Sequence, residues 1–220
     1  MAAPNAIVDL RNLLAERFPQ RTTAATTVIP SGVAPLDEIT PGGLPKNAIT
    51  ELISPNTSGG SVSVIHALVE HAHQQNEFVG LIDGRDSFDP CSFGNSGLRH
   101  LLWVRCQKAF EALKATDLLL RDGNFPLVIV DLVLNAPEEL RKIPQTSWYR
   151  LQRLVEAVPT ACLVVTRQSI VSSAQLKLVL ENQWSLESLG KENAISRLEF
   201  RIQRSHLKSE ISNQKSAIRH

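Results

Sequence analysis

The chain has 220 residues, of which 23 are Lys or Arg and 22 are Asp or Glu, giving a formal net charge of +1. That balance excludes a uniformly basic nucleic-acid binder, and 43% apolar with 20% charged residues excludes wholesale disorder. The length suffices to bury a core without disulfides or metal. Cys91, Cys106 and Cys162 form no CxxC or Cys/His pattern, as expected in a reducing compartment. No apolar run approaches the roughly 18 residues of a membrane-spanning helix. The first residues place Asp9 and Arg11 inside their one apolar stretch, unlike a secretory signal. A soluble, cytoplasmic protein with no membrane partner is expected.

Residues 1–29 read as an N-terminal helical arm and linker. Ile7, Leu10, Leu14 and Phe18 recur at helical spacing, with Asp9, Arg11, Glu16 and Arg17 off that face, until Pro19 stops the pattern. This is a candidate association helix, docking on its own domain or on another chain.

From residue 30 to 205 the sequence reads as one core. Ala48–Ile53, Phe78–Asp83, Leu101–Val104, Leu127–Asp131 and Ala161–Thr166 are continuous apolar runs, the mark of strands buried on both faces. Between them, Ser61–Gln75, Lys108–Arg121 and Trp148–Val158 read as helices. The alternation predicts an α/β fold with a mostly parallel sheet flanked by helices. Leu176, Leu178 and Leu180 alternate with Lys177, Val179 and Glu181, and Leu198, Phe200 and Ile202 with polar residues. Period 2 predicts strands with one wet face, an antiparallel hairpin at the C-terminal edge of the sheet. Residues 206–220 read as a basic, disordered tail; residues 197–220 hold six Lys or Arg against two Glu.

The stretch ITELISPNTSGGSVSVIHALVEH joins a strand to a helix through a glycine turn, the place of a P-loop, GxxxxGK[ST]. Here the turn runs Ser54, Pro55, Asn56, Thr57, Ser58, Gly59, Gly60, Ser61. The second glycine is kept as Gly59 and the Mg²⁺-binding hydroxyl as Ser61, whereas the first glycine is Ser54 and the lysine is Gly60. Losing that cation removes charge-assisted hydrogen bonds of roughly 1.5–3 kcal/mol each. The turn's N–H groups can still meet an anion. No cofactor is required by this reading, and weak ATP and Mg²⁺ binding is the most it would keep. Asp131 ends the run LVIVD, either as a residual Walker B carboxylate or as a plain strand-end cap; Asp83 ends FVGLID similarly. No glutamate stands nearby as a base, the next charged residue being Arg85. No catalytic residue is assigned.

Other groups have plainer accounts. His66, His71 and His73 share a helix but lack the i, i+4 spacing of a helical metal pair, so no metal site is expected. Trp103 reads as core. Arg150 and Arg153, beside Trp148 and Tyr149, fit either a nucleic-acid backbone contact or the charged face of an amphipathic helix. Arg201 and Arg204 are further candidate DNA contacts, weak and non-specific.

The segment GVAPLDEITPGGLPKNAITELISPNTSGG resembles the opening of the RecA core leading into its P-loop. LIDGRDSFDP and LVIVD resemble the following RecA segments. The resemblance covers roughly residues 31–205 and implies a RecA-like P-loop core. Carried over by position, Gly60 stands where that family has the P-loop lysine, Arg85 where it has the catalytic glutamate, and Asp89 and Pro90 near its adenine. The sequence is most similar to the ImuA (SulA-like) RecA paralogues, through the short N-terminal helix, the LLWVR strand, the segment Glu111–Asp131 and the basic C-terminus. This resemblance implies a protein of SOS mutagenesis and translesion synthesis, working beside an ImuB-like polymerase homologue, RecA or a copy of itself. Where RecA carries its mobile DNA loops, the connection after Asp131, LVLNAPEELRKIPQTS, is neither glycine-rich nor strongly basic, and only about nine residues separate Thr166 from the Leu176 strand. The enzyme alternative is a nucleotide-dependent recombination ATPase with an atypical P-loop, its cation supplied by Lys46 or a neighbouring subunit. A third reading is a non-specific binder of single-stranded DNA.

Overall fold

In the computed structural model, which describes residues 28–56, 59–93, 98–182 and 195–206, a seven-stranded sheet organises the chain. In chain order the elements are β1 (Val28–Ile29), α1 (Ala34–Ile39), β2 (Leu44–Pro45), β3 (Ala48–Ile53), α2 (Ser61–Gln74), β4 (Val79–Asp83), β5 (Leu101–Arg105), α3 (Ala109–Asp122), β6 (Leu127–Asp131), α4 (Pro137–Arg141), α5 (Gln145–Glu156), β7 (Ala161–Thr166), β8 (Leu176–Leu180) and β9 (Phe200–Ser205). Short 3₁₀ turns occupy Pro90–Ser92 and Ile195–Arg197. The sheet order is β5-β4-β6-β7-β3-β8-β9, parallel throughout except for the last pair. β1 and β2 form a separate antiparallel pair.

The strand alternation divides the core into two layers. Leu52, Leu127, Ile129, Leu163 and Val165 point to the face covered by α1 and α2. Ile49, Val128, Val130, Cys162 and Val164 point to the face covered by α3 and α5. Helix α2 contributes Val64, Ile65, Leu68 and Ala72 to the first layer. Trp148, Leu151 and Val155 of α5 join the second, so Trp148 is core. Helix α3 opens with its Ala109 N–H on Glu139 Oε1 (2.6 Å) and ends at Gly123 in a left-handed cap.

The structure shows the expected class, and three local expectations change. β5 is an edge strand that runs on to Arg105, so Leu102 is exposed where burial on both faces was expected. β8 lies inside the sheet between β3 and β9, so Lys177 is buried although its alternation reads as a wet face. Leu198 is buried ahead of β9, which starts at Phe200, and a register shift interrupts the β8–β9 pairing at Lys177/Leu178. The predicted association helix (Ile7, Leu10, Leu14, Phe18) and residues 207–220 of the predicted tail lie outside the described residues. Among the described residues no helix is long and apolar enough to cross a membrane.

Candidate functional site

Open parallel sheets bind ligands beyond the C-terminal ends of their strands. Here the glycine turn leaves the C-terminal end of β3 beside the end of β7. Ser54 leaves β3 with its N–H on Thr166 O (2.7 Å), which ties the start of the turn to the end of β7. Gly59 returns with its N–H on Asn56 O (3.1 Å). A Cβ on Gly59 would stand 2.8 Å from Ser54 Oγ and 3.1 Å from Asn56 O, so close approach demands glycine. Gly60 precedes α2 with φ 93°, in the left-handed region. Position 60 therefore lacks the lysine and also holds a backbone that a lysine would strain. Thr57 and Ser58 lie outside the described residues. Ser61 is buried in the first turn of α2.

Asp83 and Asp131 are partners in register at the ends of β4 and β6. Asp83 is fully buried and accepts the N–H groups of Arg85 (3.2 Å), Ser87 (2.7 Å) and Phe88 (2.7 Å), so it shapes the loop after β4. The Asp131 carboxylate accepts only the Val133 N–H (3.0 Å) among the described hydrogen bonds, while its backbone carbonyl takes the Gly84 N–H (2.9 Å). Burial pushes the Asp131 carboxyl up to about 6; the Val133 N–H opposes this and the charge of Asp83 adds to it. Arg85, at the place of a catalytic base, sends its guanidinium to Gln107 O (3.1 Å).

A cavity of about 750 Å³ opens between the first turns of α2, the segment 87–93, Asp131 and Ile195. Val62, His66, Phe88 and Phe93 give it apolar and aromatic walls, and the rings of His66 and Phe93 stack at 3.9 Å. Its described lining includes Asp89 and Asp131 but no Lys or Arg. The volume suits a small ligand. Lys46 cannot supply a cation, because it precedes β3 and lies a strand length of about 20 Å from the turn.

Sequence reasoning missed Glu51. This carboxylate is completely buried in β3. It takes Lys177 Nζ of β8 at 2.7 Å and the N–H groups of Ile170 (2.7 Å) and Val171 (3.0 Å). Ser169 Oγ and Thr166 Oγ1 also donate to it. The connection from β7 to β8 is thus held down by a buried charge. A Glu inside the run AITELI and a Lys inside LKLVL were the available signal. After β6, Leu132 and Asn135 are likewise buried, and Asn135 Nδ2 donates to Gly84 O (3.0 Å).

The four candidate DNA-contact arginines do not form one cluster of unpaired charge. Arg150 and Arg153 lie on α5, and Arg201 and Arg204 on β9. Arg150 is paired with Asp117 of α3 (2.8 Å), which also holds Arg121. Arg201 is paired with Glu181, and Arg204 Nε donates to His206. Arg153 is exposed.

Fold and turn together define an α/β domain with a mostly parallel sheet, in which Gly60 stands at the lysine position of the P-loop pattern. Residues 15–140, more than half of the chain, match the RecA N-terminal domain family, and the chain belongs to that family. Among curated relatives, the RecA protein of Thermotoga neapolitana is 34% identical over 109 residues, 48% of this chain and 31% of that protein. RecA of a Nocardioides species is 31% identical over 120 residues, 53% of this chain and 34% of that protein. The chain spans about a third of the length of these relatives.

Proposed function

We propose that this chain is a RecA-like interaction protein without ATPase chemistry, serving as an accessory in the DNA-damage response, of the ImuA kind, in SOS mutagenesis and translesion synthesis. The observation that carries the reading is Gly60 at the lysine position with φ 93°. Phosphoryl transfer depends on positioning and charge neutralisation, and Arg85 and Asp131 replace neither. The cytoplasm is its compartment. Its partner is a protein: an ImuB-like polymerase homologue, RecA or a second copy. DNA binding is at most weak and non-specific, which fits the pairing of Arg150 and Arg201 with carboxylates and the pinned connection after β7. Residues 1–29, 30–205 and 206–220 act as arm, core and tail. Removing residues 1–20 should abolish association in a pull-down or by light scattering while the core stays folded.

The decisive test is calorimetry with Mg-ATP on folded protein, paired with an ATPase assay in the presence of single-stranded DNA. No heat up to millimolar nucleotide and no turnover are expected. Binding in the micromolar range or turnover would overturn the reading.

One observation favours the ATPase alternative. Arg167 directly follows Thr166, whose carbonyl holds Ser54, and its buried Nε has no hydrogen-bond partner among the described residues. Arg167 is therefore the cation to remove should ATP bind; loss of binding in Arg167→Gln would identify it as the lysine's substitute.

A further inference from the structure

The sequence gives α2 three histidines and no metal spacing, but the fold brings a fourth to one of them. His73 sits in the last turn of α2 and His100 just before β5, with their Nδ1 atoms 3.1 Å apart. The rings are tilted by 38° with centroids at 5.3 Å, and Phe78 packs edge-on against His100 at 5.2 Å. Both imidazoles are half-buried. Their backbones are fixed: Asn76 N–H donates to His73 O (3.1 Å) and Val79 N–H to His100 O (2.9 Å).

Two imidazole nitrogens on one tetrahedral ion, at metal–nitrogen distances of about 2.0–2.1 Å, stand roughly 3.3–3.4 Å apart. The observed separation is within a few tenths of an ångström of that spacing. We propose that His73 and His100 form a two-imidazole clamp for a borderline divalent cation, Zn²⁺ or Cu²⁺, bound through both Nδ1 atoms. Water or a partner's donor completes the coordination, since no group of three His, Cys, Asp or Glu suited to a metal occurs among the described residues.

The protons balance. In the metal-free pair one Nδ1 carries the hydrogen and donates it to the other. On binding, that proton moves through solvent to the same ring's Nε2, so both rings present a bare Nδ1 and an Nε2–H. No net proton is released when both rings are neutral. Cu²⁺ binds more tightly than Zn²⁺ on the same donors. The clamp fastens the C-terminal end of α2 to the edge strand β5, at the end of the sheet opposite the glycine turn, so it stands apart from any nucleotide reading.

The test is a titration of metal-stripped full-length protein with Zn²⁺, and separately Cu²⁺, against a chromophoric chelator. Imidazole ¹⁵N shifts are followed in the Zn²⁺ series. One ion per chain is expected, with the Nδ1 resonances of His73 and His100 moving. His73→Ala and His100→Ala should each weaken binding tenfold or more, and His71→Gln should leave it unchanged. Circular dichroism reports whether each variant is folded; where one is not, the wild-type shifts decide. Unmoved His73 and His100 resonances at saturating Zn²⁺, undiminished affinity in both folded alanine variants, or no binding below millimolar metal would overturn the clamp.

Discussion

Lys177 Nζ of β8 lies 2.7 Å from Glu51 Oε2 of β3, and both side chains are removed from water, at 8% and 0% exposure. The two residues are also register partners in the parallel ladder. The carboxylate bonds two backbone N–H groups beyond the strand ends, so this pair fixes both the β3–β8 register and the path from β7 to β8.

Removing one partner of a buried ion pair leaves the other uncompensated, at a cost of about 3–5 kcal/mol. Glu51→Leu and Lys177→Met should each lose stability on that scale by urea denaturation. The double variant should remain well below wild type, because the Ile170 and Val171 N–H groups stay unpaired. Full recovery in the double variant would show that the charge pair alone mattered.

Gly60→Lys restores the missing cation in a backbone that disfavours it. The left-handed conformation costs about 1–2 kcal/mol for a residue with a Cβ. The variant should therefore melt lower and still show no heat with millimolar Mg-ATP. Tight binding would mean that the turn relaxes and lacked only its charge.

Asp131 titrates near 6 when folded, against an ordinary value of 3.8. Its raised value means that the folded state holds the extra proton between those limits. The contribution of Asp131 to stability is therefore largest at or below about pH 4 and is lost as pH rises through 6. The penalty above that range is at most roughly 3 kcal/mol. Asp131→Asn should raise the melting temperature at pH 7.5 and flatten the melting profile between pH 4.5 and 7. An unchanged difference from wild type across that range would place the carboxylate in a wetter site.

The cysteines should separate by reactivity. Cys91 is exposed, whereas burial pushes the Cys162 thiol up to about 12 and also raises Cys106, helped there by Glu111 and Asp83. A thiol reagent should modify one cysteine quickly in the native protein and all three after unfolding, with peptide mapping placing the fast one at Cys91.

By itself, the sequence determined the strand–turn–helix at 48–74, the alternation of apolar runs with helical patterns, and the absence of a cation at position 60. Each of these is local: burial on both faces writes a continuous apolar run, and a phosphate turn writes glycine and hydroxyl at fixed offsets. Tertiary structure decided which strands stand at the edge, since LLWVR reads as a buried run yet β5 has a neighbour on one side only. It also decided which charges are inside. Lys177 follows the alternation of a wet face, and only the placement of β8 between β3 and β9 buries it against Glu51. His73 and His100 meet for the same reason: they are 27 positions apart in sequence, and the contact exists only once α2 and the start of β5 are folded onto β4. Local pattern encodes period and turn chemistry, whereas pairing across the sheet depends on strand order, which no single segment carries.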